Sequence, residues 1–184
     1  MSKAVLISIR PKWCQKIASG EKTIEVRKNR PKLALPFKCY IYCTREKHLA
    51  FMQNQTGTNL VGCIDAETAI PVGGFVGNGK VIGEFTCTGF IPFRNARPCF
   101  VTETPEEIER MACLTRKEIW KYAPVGDPIG WRISDLVIYD TPKALDSFWA
   151  ERICTRGRDT FGCEGCWDCE KRPPQSWCYV EEKR

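Results

Sequence analysis

The sequence contains very little histidine: His48 is the only one among 184 residues. A metal centre that needs two imidazole ligands is therefore excluded, and serine or cysteine catalysis with a histidine base is disfavoured. His48 lies in a polar segment, so we expect a solvated loop position for it.

Long apolar runs are also missing. No segment approaches the roughly 20 consecutive apolar residues that a membrane-spanning helix needs. The short apolar run at the N-terminus ends at Arg10-Pro11 without a small-residue cleavage site, so it does not resemble a signal peptide. We expect a cytoplasmic protein without a membrane partner, in which cysteines serve as thiols or metal ligands and not as disulfides.

A complete phosphate-binding loop is absent as well. Residues 74–80, GFVGNGK, match the glycine and lysine positions of such a loop, but Val81 stands where magnesium binding requires serine or threonine. The segment also leads into a predicted strand, so the loop lacks the helix N-terminus that would face a phosphate. We therefore assign no nucleotide triphosphate site here.

Positive charge is in moderate excess. Lysine and arginine total 28 against 22 acidic residues, which gives a formal net charge of +6. Such an excess permits a polyanionic partner without requiring one.

The order of predicted elements indicates one α+β domain with an elaboration. Strands are predicted at 4–9, 23–28, 38–44, 80–93, 129–140 and 175–181. Short helices are predicted after Pro11 and after two capping boxes, Thr104 with Glu107 and Thr115 with Glu118. Residues 46–80 are rich in polar residues and glycine and are predicted to form a long insertion loop. This pattern favours a small mixed β-barrel of about six strands with short flanking helices.

The most informative segment is GEKTIEVR at residues 20–27, with the pattern G-x-K-x-x-E-x-R. Period-two alternation places Glu25 and Arg27 on one face of a half-exposed strand, about 7 Å apart, and Lys22 at its start. We expect these side chains to form a cation-rich cleft with one carboxylate, which can bind a phosphate or a base edge. The alternative is a surface ion pair on a solvated strand.

Further charged residues extend this predicted cleft. Arg10 and Lys12 widen its positive rim on one side, and the next three cations after the strand extend it on the other: Lys28, Arg30 and Lys32.

The segment resembles the motif of the ASCH domain family, relatives of the RNA-binding PUA domains. SIRPKW, GKVIGEF, ISDLVIYDTPKALDSF and RPPQSWCYV are similar to other strands of that family. The resemblance implies a PUA-like barrel over 1–150 with a closing strand and tail over 173–184. The segment between them, 151–172, is rich in cysteine and is predicted from its spacing to form a separate knuckle. The resemblance also places Trp13 and Trp131 near the charged strand, where either can stack a base or pack in the core.

The resemblance implies a function related to RNA. We expect the cleft to bind RNA or a nucleotide-like ligand through Thr23 together with the charged residues already named. In one branch of the family, amidohydrolases of acetylated cytidine, a lysine and a threonine of this segment act with a distant glutamate, and other members act as nucleases. Lys22 matches the lysine, but Glu25 stands at the threonine position and Thr23 two residues earlier.

If the protein is an enzyme, its expected catalytic residues are therefore Lys22, Thr23 and Glu25. Glu109 and Glu118 lie in the region of the distant glutamate, although both are ordinary helix positions. A third alternative is a protein-interaction module whose partner is unknown, which would dock through residues 46–80 or the cysteine-rich segment.

The cysteine-rich segment predicts a structural zinc site. Cys163, Cys166 and Cys169 follow C-x2-C-x2-C spacing, with Cys154 as the preferred fourth ligand and Cys178 as the alternative. Four thiolates leave no open position for water, so zinc here would stabilise the segment and not catalyse. Reduced surface thiols are one alternative, and an iron–sulfur cluster is a weaker one because the further C-x3-C-P is missing.

Overall fold

The computed structural model describes residues 3–55, 58–65, 67–70, 72–93, 102–151, 167–169 and 172–182. Its strands and helices follow in chain order: β1 Ala4–Ile9, α1 Pro11–Ala18, β2 Ile24–Arg27, β3 Phe37–Cys43, β4 His48–Gln55, β5 Thr58–Asp65, β6 Phe75–Val76, β7 Val81–Pro92, α2 Pro105–Ala112, α3 Arg116–Tyr122, β8 Ile129–Lys143, β9 Phe148–Glu151, β10 Trp167–Cys169 and β11 Trp177–Glu182. A 3-10 turn, Leu145–Ser147, precedes β9.

Eight of the strands form one mixed sheet, in the order β10-β9-β11-β1-β3-β7-β8-β2. The β1–β3 pair is parallel, and the other pairs are antiparallel. The α+β class is thus confirmed. Within the described residues, however, the edge strands β10 and β2 do not pair, so the sheet does not close into the expected barrel.

Within the predicted loop at residues 46–80, the strands β4, β5 and β6 form a second sheet of order β5-β4-β6, so the loop prediction was wrong for these three strands. One face of this hairpin buries Ala50, Met52 and Val61 in the same core cluster as Cys14 and Ile17 of α1. Polar residues and glycines between these apolar positions obscured the alternation. His48, predicted in a loop, is the first residue of β4; its exposed side chain lies 3.2 Å from Asp65.

Strand β1 is buried on both faces, as its continuous apolar sequence predicts. Val5, Ile7 and Ile9 pack in the main core, while Ala4 and Leu6 pack in a second cluster on the opposite face. Both predicted capping boxes also form, at the N-termini of α2 and α3. In the part of the chain that the structure describes, no helix is long and apolar enough to cross a membrane.

Strand β2 differs from its prediction, because all four of its residues are buried. Ile24 packs with Ile108 of α2, and Val26 packs with Ala112 and Ile119 beneath α2 and α3. The opposite face, which carries the charged side chains, is also covered. This burial turns a predicted surface strand into the floor of a site.

Candidate functional site

Three charged side chains of the β2 region form a buried cluster. Lys22 is 2% exposed, Glu25 6% and Arg27 8%. Arg27 Nη2 lies 3.0 Å from Glu25 Oε1, and Lys22 Nζ lies 3.5 Å from Glu25 Oε2. The alternation along β2 therefore places the acid and the guanidinium side by side, as the sequence predicts, with the lysine on the carboxylate's other oxygen. We call these three residues the buried charge cluster.

Local backbone contacts hold the cluster in place. Gly20 ends α1 with φ of 78°, and the Lys22 amide then donates to the Lys16 carbonyl at 2.9 Å. The ammonium of Lys22 donates to the carbonyl of Ala112, the last residue of α2, at 2.6 Å. Arg27 Nη2 donates to the Ser8 carbonyl of β1 at 2.6 Å. The cluster thus links β2 to a helix terminus and to the central sheet.

The environment of Lys22 changes its acidity. Burial penalises the ammonium form, and this effect outweighs the attraction of Glu25, so the pKa of Lys22 is lowered from its ordinary 10.5. The ammonium also faces the ring of Trp13, 5.2 Å from its centroid. Lys22 is therefore a buried amine that gives up its proton more readily than a surface lysine.

A cavity of about 480 Å³ opens above this cluster, and we call it the β2 cavity. Its walls come from five places in the chain. These are the end of β1, helix α1, the segment after β3, helix α3 with the segment just before it, and the segment before β11. The lining residues are Ser8, Ile9, Arg10, Trp13, Lys22, Glu25, Val26, Arg27, Thr44, Glu46, Leu114, Glu118, Tyr122 and Gln175.

Several polar atoms of the β2 cavity are buried without a hydrogen-bond partner among the described residues. They are Arg27 Nε, Thr44 Oγ1 and Glu25 Oε2, the last of which has only the 3.5 Å ion pair with Lys22. An unpaired buried donor or acceptor costs about 1–3 kcal/mol, and more when the group is charged. A ligand or a water molecule that supplied the matching groups would offset this cost.

The charges that line the β2 cavity balance. Arg10, Lys22 and Arg27 face the carboxylates of Glu25, Glu46 and Glu118. Arg10 Nε lies 3.0 Å from Glu46 Oε1, and hydrogen bonds from Thr115 lower the pKa of Glu118. The cavity is thus not the cation-rich cleft expected from the sequence, because distant segments contribute two carboxylates.

The structure brings together five of the residues predicted for the site. Arg10, Trp13, Lys22, Glu25 and Arg27 all line the β2 cavity.

The other three predicted residues lie outside this lining. Lys12 is exposed, with its ammonium 4.9 Å from the centre of the Trp13 ring. Thr23 is half-buried, and its backbone bridges Met111 and Ile133. Trp131 pairs with Glu25 in the β2–β8 ladder but is 0% exposed, with Phe37 and Phe90 against its ring. In this structure Trp131 is a core residue without a surface on which a base can stack.

The two glutamates considered for the distant catalytic position differ. Glu118 lines the β2 cavity, while Glu109 does not; its Oε1 lies 3.7 Å from Arg116 Nε. Sequence reasoning missed Thr44, Tyr122 and Gln175, which follow ordinary strand, helix or loop patterns. Only the topology brings them to β2.

Most of the cysteines predicted to bind zinc lie outside the part of the chain that the structure describes. Cys154, Cys163 and Cys166 lie outside the described residues, and Cys169 is described only as backbone of β10. Cys178 is a half-buried residue of β11. In the described ranges, no group of three or more metal-ligating side chains is placed to hold an ion. The zinc site stays a prediction.

The lowered pKa of Lys22 predicts a pH-dependent stability difference between the wild type and a Lys22→Met variant. Between the folded-state pKa and the ordinary 10.5, the unfolded chain binds more protons at Lys22 than the folded chain does. The stability of the wild type relative to the variant therefore rises with pH in that window and is constant, at its lowest value, at pH values below it. Urea denaturation at pH 7.5 and at about pH 10 measures the difference.

A Lys16→Met variant provides the control, because Glu21 raises the pKa of the exposed Lys16. The stability of the wild type relative to Lys16→Met should not rise with pH over the same range. A difference for Lys22→Met that stays constant with pH contradicts the burial argument.

Comparisons with known proteins give the fold and the family. The chain is similar to a crystal structure of an ASCH protein from Zymomonas mobilis, with TM-score 0.51 and 19% identity over 98% of this chain and 87% of that one. A tyrosine-to-phenylalanine mutant of that protein gives TM-score 0.53 and 20% identity over 100% of this chain and 91% of the other. A serine-to-alanine mutant gives 0.53 and 19%, over 98% and 88%. A comparison with curated proteins finds no significant match.

The structural likenesses support the fold, and the sequence itself supports the family. The model of the ASCH domain family matches residues 7–115, which is more than half of the chain and includes α1, β2 and the whole buried charge cluster. The chain belongs to the ASCH domain family.

Proposed function

We propose that the protein binds RNA or a nucleotide-like ligand by holding one nucleobase in the β2 cavity. The observation that supports this proposal is a set of buried atoms without a hydrogen bond in the described chain: a donor at Arg27, a hydroxyl at Thr44 and the Glu25 oxygen that Lys22 approaches to 3.5 Å. A base edge presents donors and acceptors side by side in one plane, which matches such a set.

Two other properties of the β2 cavity support a base. Its lining includes the rings of Trp13 and Tyr122, on which a base can stack. Its balanced charge favours an uncharged polar group over a phosphate. The family resemblance to RNA-binding PUA domains agrees with this assignment.

A Thr44→Val substitution tests the base proposal. Valine keeps the shape but removes a hydroxyl that has no partner in the described chain, so the free energy of unfolding should stay unchanged or rise by up to about 1 kcal/mol. Affinity for a ribonucleoside should instead fall about tenfold, the equivalent of about 1.4 kcal/mol. Isothermal titration with each of the four ribonucleosides, together with urea denaturation, measures both effects.

Thr88 offers a matched control, because its exposed hydroxyl lies 3.1 Å from Ser134 Oγ, away from the β2 cavity. Thr88→Val should leave nucleoside affinity at the wild-type level. Equal affinity of the Thr44→Val variant and the wild type would remove the hydroxyl from the site and count against the proposal.

We keep hydrolysis of RNA or of a modified nucleoside such as acetylated cytidine as a second proposed function, because of the state of Lys22. Lys22 is an amine with a lowered pKa, and it lies beside a carboxylate oxygen of Glu25 that has no hydrogen bond in the described chain. Such an amine can activate a nucleophile, and Glu25 can accept the proton of that nucleophile. Turnover that disappears in Lys22→Met while Thr44→Val only weakens binding supports hydrolysis. Nucleoside binding without turnover leaves binding as the function.

A further inference from the structure

A second depression lies beside the β2 cavity, and we call it the basic groove. It encloses about 630 Å³ between the segment 28–35, which connects β2 to β3, and two half-buried apolar residues, Phe90 and Ile129. None of its lining residues lines the β2 cavity, although Lys28, Arg30 and Lys32 are the cations that the sequence predicts as an extension of that cleft.

The charge of the basic groove is of one sign. Its described lining includes Lys28, Arg30 and Lys32 and no carboxylate. All three side chains are exposed, and none forms an ion pair within the described chain. Many other cations of the fold lie against a glutamate, for example Lys16, Lys38 and Lys143. Three neighbouring cations without a counter-charge repel one another, and a bound polyanion relieves that repulsion.

The groove is also held in a fixed shape. The amide of Lys32 donates to the Tyr179 hydroxyl at 2.7 Å, and Trp177 Nε1 donates to Asn29 Oδ1 at 2.9 Å. Pro31 between them is buried. Strand β11 thus holds the segment 28–35 in place, while the cations of that segment stay exposed. Binding therefore requires little further ordering of the segment, so the entropic cost of binding is small.

Aromatic rings connect the basic groove with the β2 cavity. The guanidinium of Arg30 lies 5.4 Å from the centre of the Phe90 ring, within the groove. Lys28 lines the groove, and its ammonium lies 5.3 Å from the centre of the Tyr122 ring, which lines the β2 cavity. The two depressions therefore adjoin at this lysine, and an extended ligand can occupy both.

We propose that the basic groove binds the phosphodiester backbone of a single-stranded RNA whose base occupies the β2 cavity. This inference rests on the proposed function, and it assigns the two chemical parts of a nucleotide chain to different places. The uncharged base goes to the charge-balanced cavity, and the phosphates go to the cations at 28, 30 and 32. Interleaved cations and rings fit a nucleic acid strand, in which each nucleotide carries both a phosphate and an aromatic base, better than a run of acidic side chains.

The test compares a charge-neutral variant with a matched control. Lys28→Gln, Arg30→Gln and Lys32→Gln are combined in one chain. The control combines Lys47→Gln, Lys80→Gln and Lys117→Gln, which removes the same charge at exposed positions that line neither depression. Binding of a single-stranded RNA decamer containing all four bases is measured between 50 and 200 mM salt, with ribonucleosides and a polyglutamate peptide as further probes.

The groove variant should lower the slope of log affinity against log salt by about 2, because each phosphate contact contributes about 0.7 for a single strand. Over this fourfold salt range the wild type then loses about 16-fold more affinity than the variant. Ribonucleoside affinity should not change, and the control variant should keep the wild-type slope.

The possible results separate the two proposals. If the groove variant binds the decamer with the affinity and the salt slope of the wild type, the proposed phosphate binding in the groove is overturned. This holds whatever the ribonucleoside affinities are. Loss of polyglutamate binding as large as the loss of RNA binding also overturns it, in favour of an acidic protein partner. A third result is a lowered salt slope in the groove variant together with a ribonucleoside affinity that Thr44→Val does not change. This result supports phosphate binding in the groove and contradicts only the base site.

Discussion

A Glu25→Leu variant is expected to lose about 3–5 kcal/mol of unfolding free energy. Glu25 is the only carboxylate of the buried charge cluster, with Arg27 on one oxygen and Lys22 near the other. Removing it leaves an ammonium and a guanidinium buried and uncompensated, which costs far more than the pair itself contributes. Urea denaturation at pH 7 measures the loss.

Two further variants show whether charge causes this loss. Glu21→Gln also removes a glutamate that lies 2.6 Å from a lysine, but that pair is exposed, so stability should stay close to wild type. Adding Lys22→Met to Glu25→Leu should recover part of the loss, because one of the two buried cations is then gone. A Glu25→Leu variant as stable as Glu21→Gln would show that the cluster is hydrated and not buried.

The second large effect concerns Trp131, for which we expect Trp131→Ala to cost about 3–5 kcal/mol. The ring is fully buried, with the rings of Phe37, Phe90 and Trp177 about 6.0, 6.0 and 5.9 Å away between centroids. Truncation leaves a cavity in the main core that these rings cannot fill. Thermal or urea unfolding measures the loss.

Ligand binding distinguishes this core role from base stacking. Trp131→Phe keeps most of the packing and should leave ribonucleoside affinity unchanged. Trp13→Ala removes a half-buried ring from the wall of the β2 cavity and should weaken nucleoside binding at a smaller cost in stability. Weaker nucleoside binding by a folded Trp131→Phe variant would contradict the core assignment.

The sequence predicted those features that depend on neighbouring residues. The capping boxes at Thr104 and Thr115 form because their partners are three residues away in the same helix turn. Glu25 and Arg27 meet because alternate residues of a strand share a face.

The features that the sequence did not predict depend on contacts between distant segments. The burial of Glu25 and Arg27 requires walls from Ser8, Thr44 and Tyr122, which no local pattern connects to β2. Likewise, the resemblance placed Trp131 correctly beside the charged strand, but the neighbours that bury its ring belong to β3 and β7. The hairpin of β4 and β5 was missed because residues 53–59 are polar residues and one glycine, a composition typical of a loop.

These contacts also change the meaning of the charged motif. A strand with lysine, glutamate and arginine on a wet surface would contribute little beyond solubility. Here the same three side chains are buried, with Glu25 and Arg27 on the face of β2 opposite Ile24 and Val26. Burial lowers the pKa of Lys22, and Glu25 Oε2 and Arg27 Nε have no hydrogen bond in the described chain. Unpaired buried groups in a recess are a frequent property of binding and catalytic sites.

The most direct test of the base site is a crystal structure of the protein soaked with a ribonucleoside. Our account predicts density for a base in the β2 cavity, with its edge about 3 Å from Glu25 Oε2 and Thr44 Oγ1 and its plane against Trp13 or Tyr122. Density for the nucleoside elsewhere on the protein, with the side chains of Glu25 and Arg27 satisfied by neighbouring residues alone, would contradict it.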